Sequence, residues 1–203
     1  RKVARITTTV IRELTLADAE AMAHIIVTAT KQTFTGLVPD AYVSWLSEDE
    51  RAACQAGAEA DGHDVAEAVA LAEEARSAAN WRRSMAQDSD RSVIRLAAEV
   101  NGEVVGYAIG RLGAGDPGYG AELEAIHVLP SCQGRGIGRL LIQAVAGRLA
   151  EQGIYSLCVG TLSVNPNRLF YERLGGQYLY EREYIEGDSP QPGCVYGWKE
   201  TWV

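Results

Sequence analysis

The chain has no long apolar run. Nowhere do the roughly 18 consecutive apolar residues needed to cross a bilayer occur, and the opening Arg1-Lys2-Val3-Ala4-Arg5 leads into no stretch of secretory-signal type. A soluble, cytoplasmic protein with no membrane partner is expected. Cysteine and histidine are sparse: the four cysteines, at 54, 132, 158 and 194, form no C-x-x-C pair, and the three histidines, at 24, 63 and 127, are as scattered. No disulfide framework and no zinc site follows from such spacing. Positive charge is in deficit, with 19 Lys and Arg against 27 Asp and Glu and a net charge of -8. That balance argues against nucleic-acid binding and mildly favours cationic partners. Repeats and long linkers are absent too, and 203 residues with 47% hydrophobic content suit one core rather than two. We expect one domain over 1–203.

What is present alternates between strand and helix signals. Ile6 to Glu13, rich in Thr, Val and Ile, predicts a first strand, and Thr15 followed by Asp18 resembles a capping box opening a helix. Met22, Ile25, Ile26 and Ala29 give that helix one apolar face. A second short helix is expected over Pro39 to Leu46. Ala52 to Asn80 then changes character into an Ala- and Glu-rich tract, in which Asp64 and Glu67 form another cap signal; the expectation is a helix from Asp64 to Met85, with breaks before it at Gly57 and Gly62. Val93 to Val100 and Glu103 to Arg111 flank Asn101-Gly102, a strong hairpin signal. After a loop from Gly113 to Gly120 come a strand (Ala121 to Leu129), a helix (Gly136 to Gln152), a strand (Tyr155 to Leu162), a short helix (Pro166 to Leu174) and two strands near Gln177 to Tyr184 and Cys194 to Trp202. This order predicts an α/β sandwich around a mostly antiparallel, partly parallel sheet of about seven strands with helices on both faces.

Between the strand ending near Pro130 and its following helix lies Gln133-Gly134-Arg135-Gly136-Ile137-Gly138. Three glycines in five positions let a phosphate approach the backbone, and the helix behind them offers unpaired N–H groups and a positive dipole end. Arg135 and Arg139 add charge. A P-loop would need Lys and Ser/Thr directly after the last glycine, but Arg139 and Leu140 stand there. A dinucleotide fingerprint fails in both registers, since its third glycine falls on Arg139 or on Leu141.

The hexad does fit Q/R-x-x-G-x-G/A, and about 30 residues on, past a helix and a strand, Asn165-Pro166-Asn167-Arg168-Leu169-Phe170-Tyr171-Glu172-Arg173-Leu174-Gly175-Gly176 looks like N…FYexlGG. On these two motifs the chain resembles the GNAT superfamily of acyl-CoA-dependent N-acetyltransferases. The resemblance covers most of the chain from Glu13 on and is strongest from Glu99 to Trp198. It implies a GNAT-like fold and acetyl-CoA as acyl donor. It also implies a splayed fourth strand, Glu122 to Val128, whose backbone around Ile126, His127 and Val128 pairs with the pantetheine arm. The pyrophosphate would be held by Gln133, Gly134, Arg135, Gly136, Ile137, Gly138 and Arg139. Asn165 matches the asparagine contacting the pantetheine or adenylate side, and Tyr171 the tyrosine beside the thioester sulfur.

A phenol of pKa about 10 suits that place, because it can protonate a departing thiolate; the alternative for Tyr171 is a hydrogen-bonded core tyrosine. The acceptor amine must lose a proton first, and strict alternation would put Glu122 and Glu124 on one strand face with Ile126 and Val128. Glu122 stands eleven residues before Gln133, where the resemblance puts a base, acting directly or through water; Glu124 could substitute, and either could be a solvated surface group. By the same alternation His127 points to the other face and packs. A backbone N–H near Ile126 to Val128 would stabilise the oxyanion. The resemblance thus implies an N-acetyltransferase acting by direct attack on a small-molecule amine; a protein amine as acceptor and a non-catalytic acyl-CoA sensor or assembly module are the other readings. A homodimer through the C-terminal strands is compatible with it. The tract from about 52 to 80 reads as a helical insertion that shapes or lids the acceptor site, or else as a solvated helix or subunit contact.

Overall fold

The computed structural model describes residues 8–87, 92–114, 116–186 and 189–201. Ile6 and Thr7 of the expected first strand and Trp202 of the last lie outside them. Seven strands form one sheet in the order β1-β2-β3-β4-β5-β7-β6: β1 (Thr9–Glu13), β2 (Val93–Val100), β3 (Glu103–Leu112), β4 (Ala121–Val128), β5 (Leu157–Leu162), β6 (Gln177–Glu186) and β7 (Ser189–Trp198). Only β4 and β5 run parallel; every other pair is antiparallel. The expected mixed α/β architecture is therefore the observed one.

Helices cover both faces. Helix α5 (Ile137–Ala150) lays Ile137, Leu141, Ile142, Val145 and Leu149 on the core of Leu96, Ala108, Leu123 and Leu157. On the other face α1 (Ala19–Phe34) inserts Met22 and Ile25 against Tyr107 and Ile109, and α4 (Val65–Gln87) brings Trp81 and Met85 to the same cluster. The short helices α2 (Asp40–Val43) and α6 (Leu169–Arg173) flank the far end. Thr15 and Asp18 form the expected capping box, with one turn of 3-10 helix before α1 begins, and Asp64 Oδ1 accepts from Glu67 N at 2.8 Å at the start of α4.

The Ala-rich tract differs from expectation in one respect. Gly57 does not interrupt it: α3 (Glu48–Asp61) starts at a Ser47/Glu50 capping box and runs through Gly57 to Gly62, whose φ of 69° caps it in the left-handed region. An exposed glycine costs a helix only about 1 kcal/mol against alanine, less than its neighbours and caps supply. Helices α3 and α4 pack together, and α4 packs along α1.

Two irregularities in β4 position the site. Its pairing with β3 places Ile109 opposite Ala125 but Gly110 opposite Leu123, which leaves Glu124 as the extra residue of a β-bulge. Its pairing with β5 ends after Ala121↔Leu157 and Glu122↔Cys158. Beyond that step the two parallel strands separate.

Candidate active site

The fork between β4 and β5 opens a cleft of about 420 Å³. One wall is β4, through Ile126, His127 and Val128; the floor is the loop leading into α5, and the far wall carries Asn165, Phe170, Tyr171 and Arg173. Ala29, Thr30, Thr33 and Phe34 of α1 close the remaining side.

The loop at the floor is shaped for an anion. Pro130–Cys132 makes a single 3-10 turn, after which Gly134 and Gly136 take φ of 72° and 83°, a region costly for a side chain with Cβ. A Cβ on either would meet nothing within 4 Å, so the space above both is open. No side chain caps the N-terminus of α5, and its first N–H groups with their dipole face that space. Gly138 has another use: a Cβ there would come within 3.1 Å of Phe170 Cζ, so this glycine lets α5 approach α6. Gln133 reaches back, donating from Nε2 to Val128 O at 3.0 Å, and fixes the loop to the end of β4. Arg139 lines the cleft, whereas Arg135 donates to Ser131 O at 2.9 Å and does not line it.

Tyr171 sits where the two motifs converge. It is buried, and its ring packs against Phe170, Tyr196 and Trp198 at centroid distances of 5.4, 5.8 and 6.4 Å. Burial raises its pKa above the usual phenol value, so the hydroxyl keeps its proton. Gly175 ends α6 with φ of 82°, and Gly176 has no room for a Cβ between Tyr171 O and Trp198. Asn165 serves the turn as well as the cleft: its Oδ1 accepts from Asn167 N and its Nδ2 donates to Thr161 Oγ1, both at 2.8 Å.

Glu122 is not on the face that simple alternation assigns. Leu123, Ile126 and Val128 all pack in the α5-side core while Ala125 packs on the α1 side, because the bulge at Glu124 resets the alternation. Glu122 thereby shares the α1 face with Ala125 and His127, opposite Ile126 and Val128. Its Oε1 accepts from Arg182 Nη2 at 3.2 Å, and Glu124 pairs with Arg111 at 2.5 Å. Neither carboxylate lines the cleft; Glu122 stands at its apex, in the last paired step of the fork. His127 both packs, 5.4 Å from the Tyr107 ring, and lines the cleft; burial lowers its pKa to about 4 and keeps it neutral.

Several cleft residues carry no local sequence signal. Thr30, Thr33 and Phe34 look like one more helical turn of α1 until the fold sets them against β4. Phe170 and Arg173 lie within the second motif and were legible there. Among the described residues no cluster of His, Cys, Asp or Glu is fit to hold a metal, all four cysteines are free, and no helix is long and apolar enough to cross a membrane.

This geometry can be set beside known proteins. The profile of the acetyltransferase (GNAT) family matches residues 62–176, more than half of the chain and all of the cleft loop. The chain belongs to the GNAT acetyltransferase family. The open, uncapped loop at Gly134 and Gly136 fits a pyrophosphate. An uncharacterized N-acetyltransferase of Bacillus subtilis, YuaI, is 31% identical over 90 residues, 44% of this chain and 52% of that relative. The matched part thus spans about half of the relative's length. Solved GNAT structures share the fold at low identity. The PaiA N-acetyltransferase of Thermoplasma acidophilum in complex with coenzyme A has a TM-score of 0.59 at 14% identity, covering 96% of this chain and 99% of that one. The ribosomal-protein-S18-alanine N-acetyltransferase of Escherichia coli gives 0.58 at 18%, covering 97% and 96%. YncA of Salmonella typhimurium, solved with acetyl-CoA, gives 0.56 at 19%, covering 94% and 92%.

Proposed function

We propose that this GNAT protein transfers the acetyl group of acetyl-CoA to the primary amine of a small molecule, by direct attack within a ternary complex. The observation that carries the reading is the convergence, in one cleft, of the uncapped N-terminus of α5, the free side of β4 and the buried Tyr171. When bound, acetyl-CoA supplies an activated acetyl thioester; the chain supplies position and protons. Gly134, Gly136 and Arg139 take the diphosphate, while the unpaired side of β4 near Ile126 and Val128 receives the pantetheine amides as an added strand would. Tyr171 holds the proton that the departing sulfur needs. Glu122 receives the proton that the acceptor ammonium must shed, directly or through water, and its place at the apex of the fork favours it over Glu124 on the bulge.

A protein N-terminus is the second acceptor reading, favoured by the likeness to the S18-alanine enzyme. The test is a thermal-shift titration with acetyl-CoA, CoA and NAD, followed by thiol release against small amines and N-terminal peptides. Stabilisation by the CoA species alone, with thiol released for a small amine, is the expected result. Release with peptides only would move the acceptor to proteins, and binding without release on any amine would make the chain a sensor.

A further inference from the structure

Two glycines on neighbouring strands have given up their side chains to admit a polar group. A Cβ at Gly160 of β5 would fall on the Tyr184 hydroxyl and within 2.6 Å of Arg182 Nη2, and one at Gly193 of β7 would fall on the Tyr184 ring. Neither glycine takes the left-handed backbone region, so room rather than conformational freedom is what each provides. Into that room β6 lowers Arg182, whose guanidinium lies 4.7 Å from the centre of the Tyr184 ring while bonding Glu122 at 3.2 Å. The Tyr184 oxygen is buried and lies against the Arg182 guanidinium, so the two side chains fill the room together.

The niche touches the reaction centre. Glu122 is register-paired with Cys158 at the fork, Gly160 lies two residues further along the same face of β5, and Phe34, which lines the cleft, packs in one cluster with Leu162 and Tyr184. The side chains of Glu122 and Arg182 are 21% and 33% exposed, half withdrawn from water yet reachable. An acceptor carrying only an ammonium would take Glu122 from Arg182 and leave a partly desolvated cation uncompensated, an expensive exchange. A molecule with adjacent opposite charges replaces both partners at once.

We propose that Glu122 and Arg182 form an acceptor subsite for a free α-amino acid, the ammonium on Glu122 and the carboxylate on Arg182, with the Tyr184 ring holding the guanidinium in place. The proposal rests on the acetyl-transfer reading and narrows its acceptor. The subsite explains why an ion pair, and not a lone carboxylate, stands at the apex of the fork.

Acceptor binding is measured first without turnover, as added thermal stabilisation by proteinogenic α-amino acids, their α-carboxamides and their decarboxylated amines at saturating CoA. We expect at least one amino acid to stabilise the protein where its carboxamide and amine do not. Arg182→Gln should raise the half-saturating concentration of that amino acid at least about tenfold and leave stabilisation by CoA alone in place. Gly160→Ala, which displaces the same two groups without changing any charge, should do likewise. In thiol-release assays the acid-over-amide preference in kcat/KM should collapse with Arg182→Gln. Equal binding of acid and carboxamide, a preference that survives Arg182→Gln, or no amino acid binding at all would overturn the subsite. Amino-acid binding with no thiol release from any amine would remove the acetyl-transfer reading and leave the subsite standing.

Discussion

Trp81 of α4 stands edge-on to Tyr107 of β3, with ring centroids 5.7 Å apart and planes at 79°. Tyr107 touches His127, and His127 lines the cleft, so the long helix reaches the sheet directly beneath the site. Trp81→Ala should lower the unfolding free energy by about 2–3 kcal/mol, less than a fully buried tryptophan because this one is only partly buried. Urea unfolding measures it; a change within about 0.5 kcal/mol, as for an ordinary surface site, would mean that the helix end does not support the core.

Tyr171→Phe keeps the ring contacts with Phe170, Tyr196 and Trp198 and removes only the hydroxyl. Turnover should fall by about a hundredfold with CoA affinity preserved. Equal loss of both would reassign Tyr171 to packing.

Gly136→Ala forces a Cβ onto a residue with φ of 83° at the mouth of α5. Strain of about 1–2 kcal/mol and a methyl group in the open space above the loop should together weaken CoA binding at least about tenfold, read by calorimetric titration. The same change at Gly57, mid-helix and open on all sides, should raise stability by up to about 1 kcal/mol and leave binding untouched.

Acid stability should depend on Asp18. Its carboxylate accepts two hydrogen bonds from Arg12 at 2.9 and 2.8 Å, which, with bonds from Thr15, hold its pKa down at about 2 from an ordinary 3.8. A carboxylate depressed on folding stabilises the native state above its unfolded pKa, and that stability is lost as pH falls from about 4 towards about 2. The contribution is about 2 kcal/mol at neutral pH. Asp18→Asn should show the loss already at pH 7 and flatten the acid limb of a stability–pH curve; an unchanged limb would assign it to other groups.

Glu122→Gln and Glu124→Gln separate the two strand carboxylates. The first should lower kcat by about a hundredfold and reshape the pH–rate profile, and the second should leave kcat within about twofold. The reverse result would put the base on the bulge.

Much of this was legible in the chain itself. Asn101-Gly102 turns the hairpin as expected, with φ of 55° and 88°, and the Thr15/Asp18 box opens the first helical segment, because such signals depend on two or three neighbouring residues. The glycine hexad and the second motif met in one cleft for the same reason: each is local and strong. The role of the Ala-rich tract was not legible, since its links are long-range. Glu73, fully buried in α4, pairs with Lys31 of α1 and with Arg51 of α3 at 3.6 Å, and accepts from Ser44 Oγ at 3.2 Å in the turn after α2. A buried carboxylate held by two cations ties three helices together, which a run of alanines and glutamates does not announce. Equally hidden was the facing of Glu122, because a bulge depends on what the neighbouring strand does.

That bulge gives β4 a phase. Residues before Glu124 and residues after it count inward and outward on opposite beats, and one supernumerary residue is all that keeps them so. A deletion of residue 124 would close the register, setting Leu123 directly before Ala125 in regular alternation, and would leave Glu122 and Leu123 facing as they do now; a deletion at any of residues 125 to 128 that left the bulge in place would instead break the match between the two halves of the strand. Among related chains, a gap of one residue at this point would therefore mark a straighter strand with the same facing at the fork, and Glu122 would be aligned by its face rather than by its distance from Gln133.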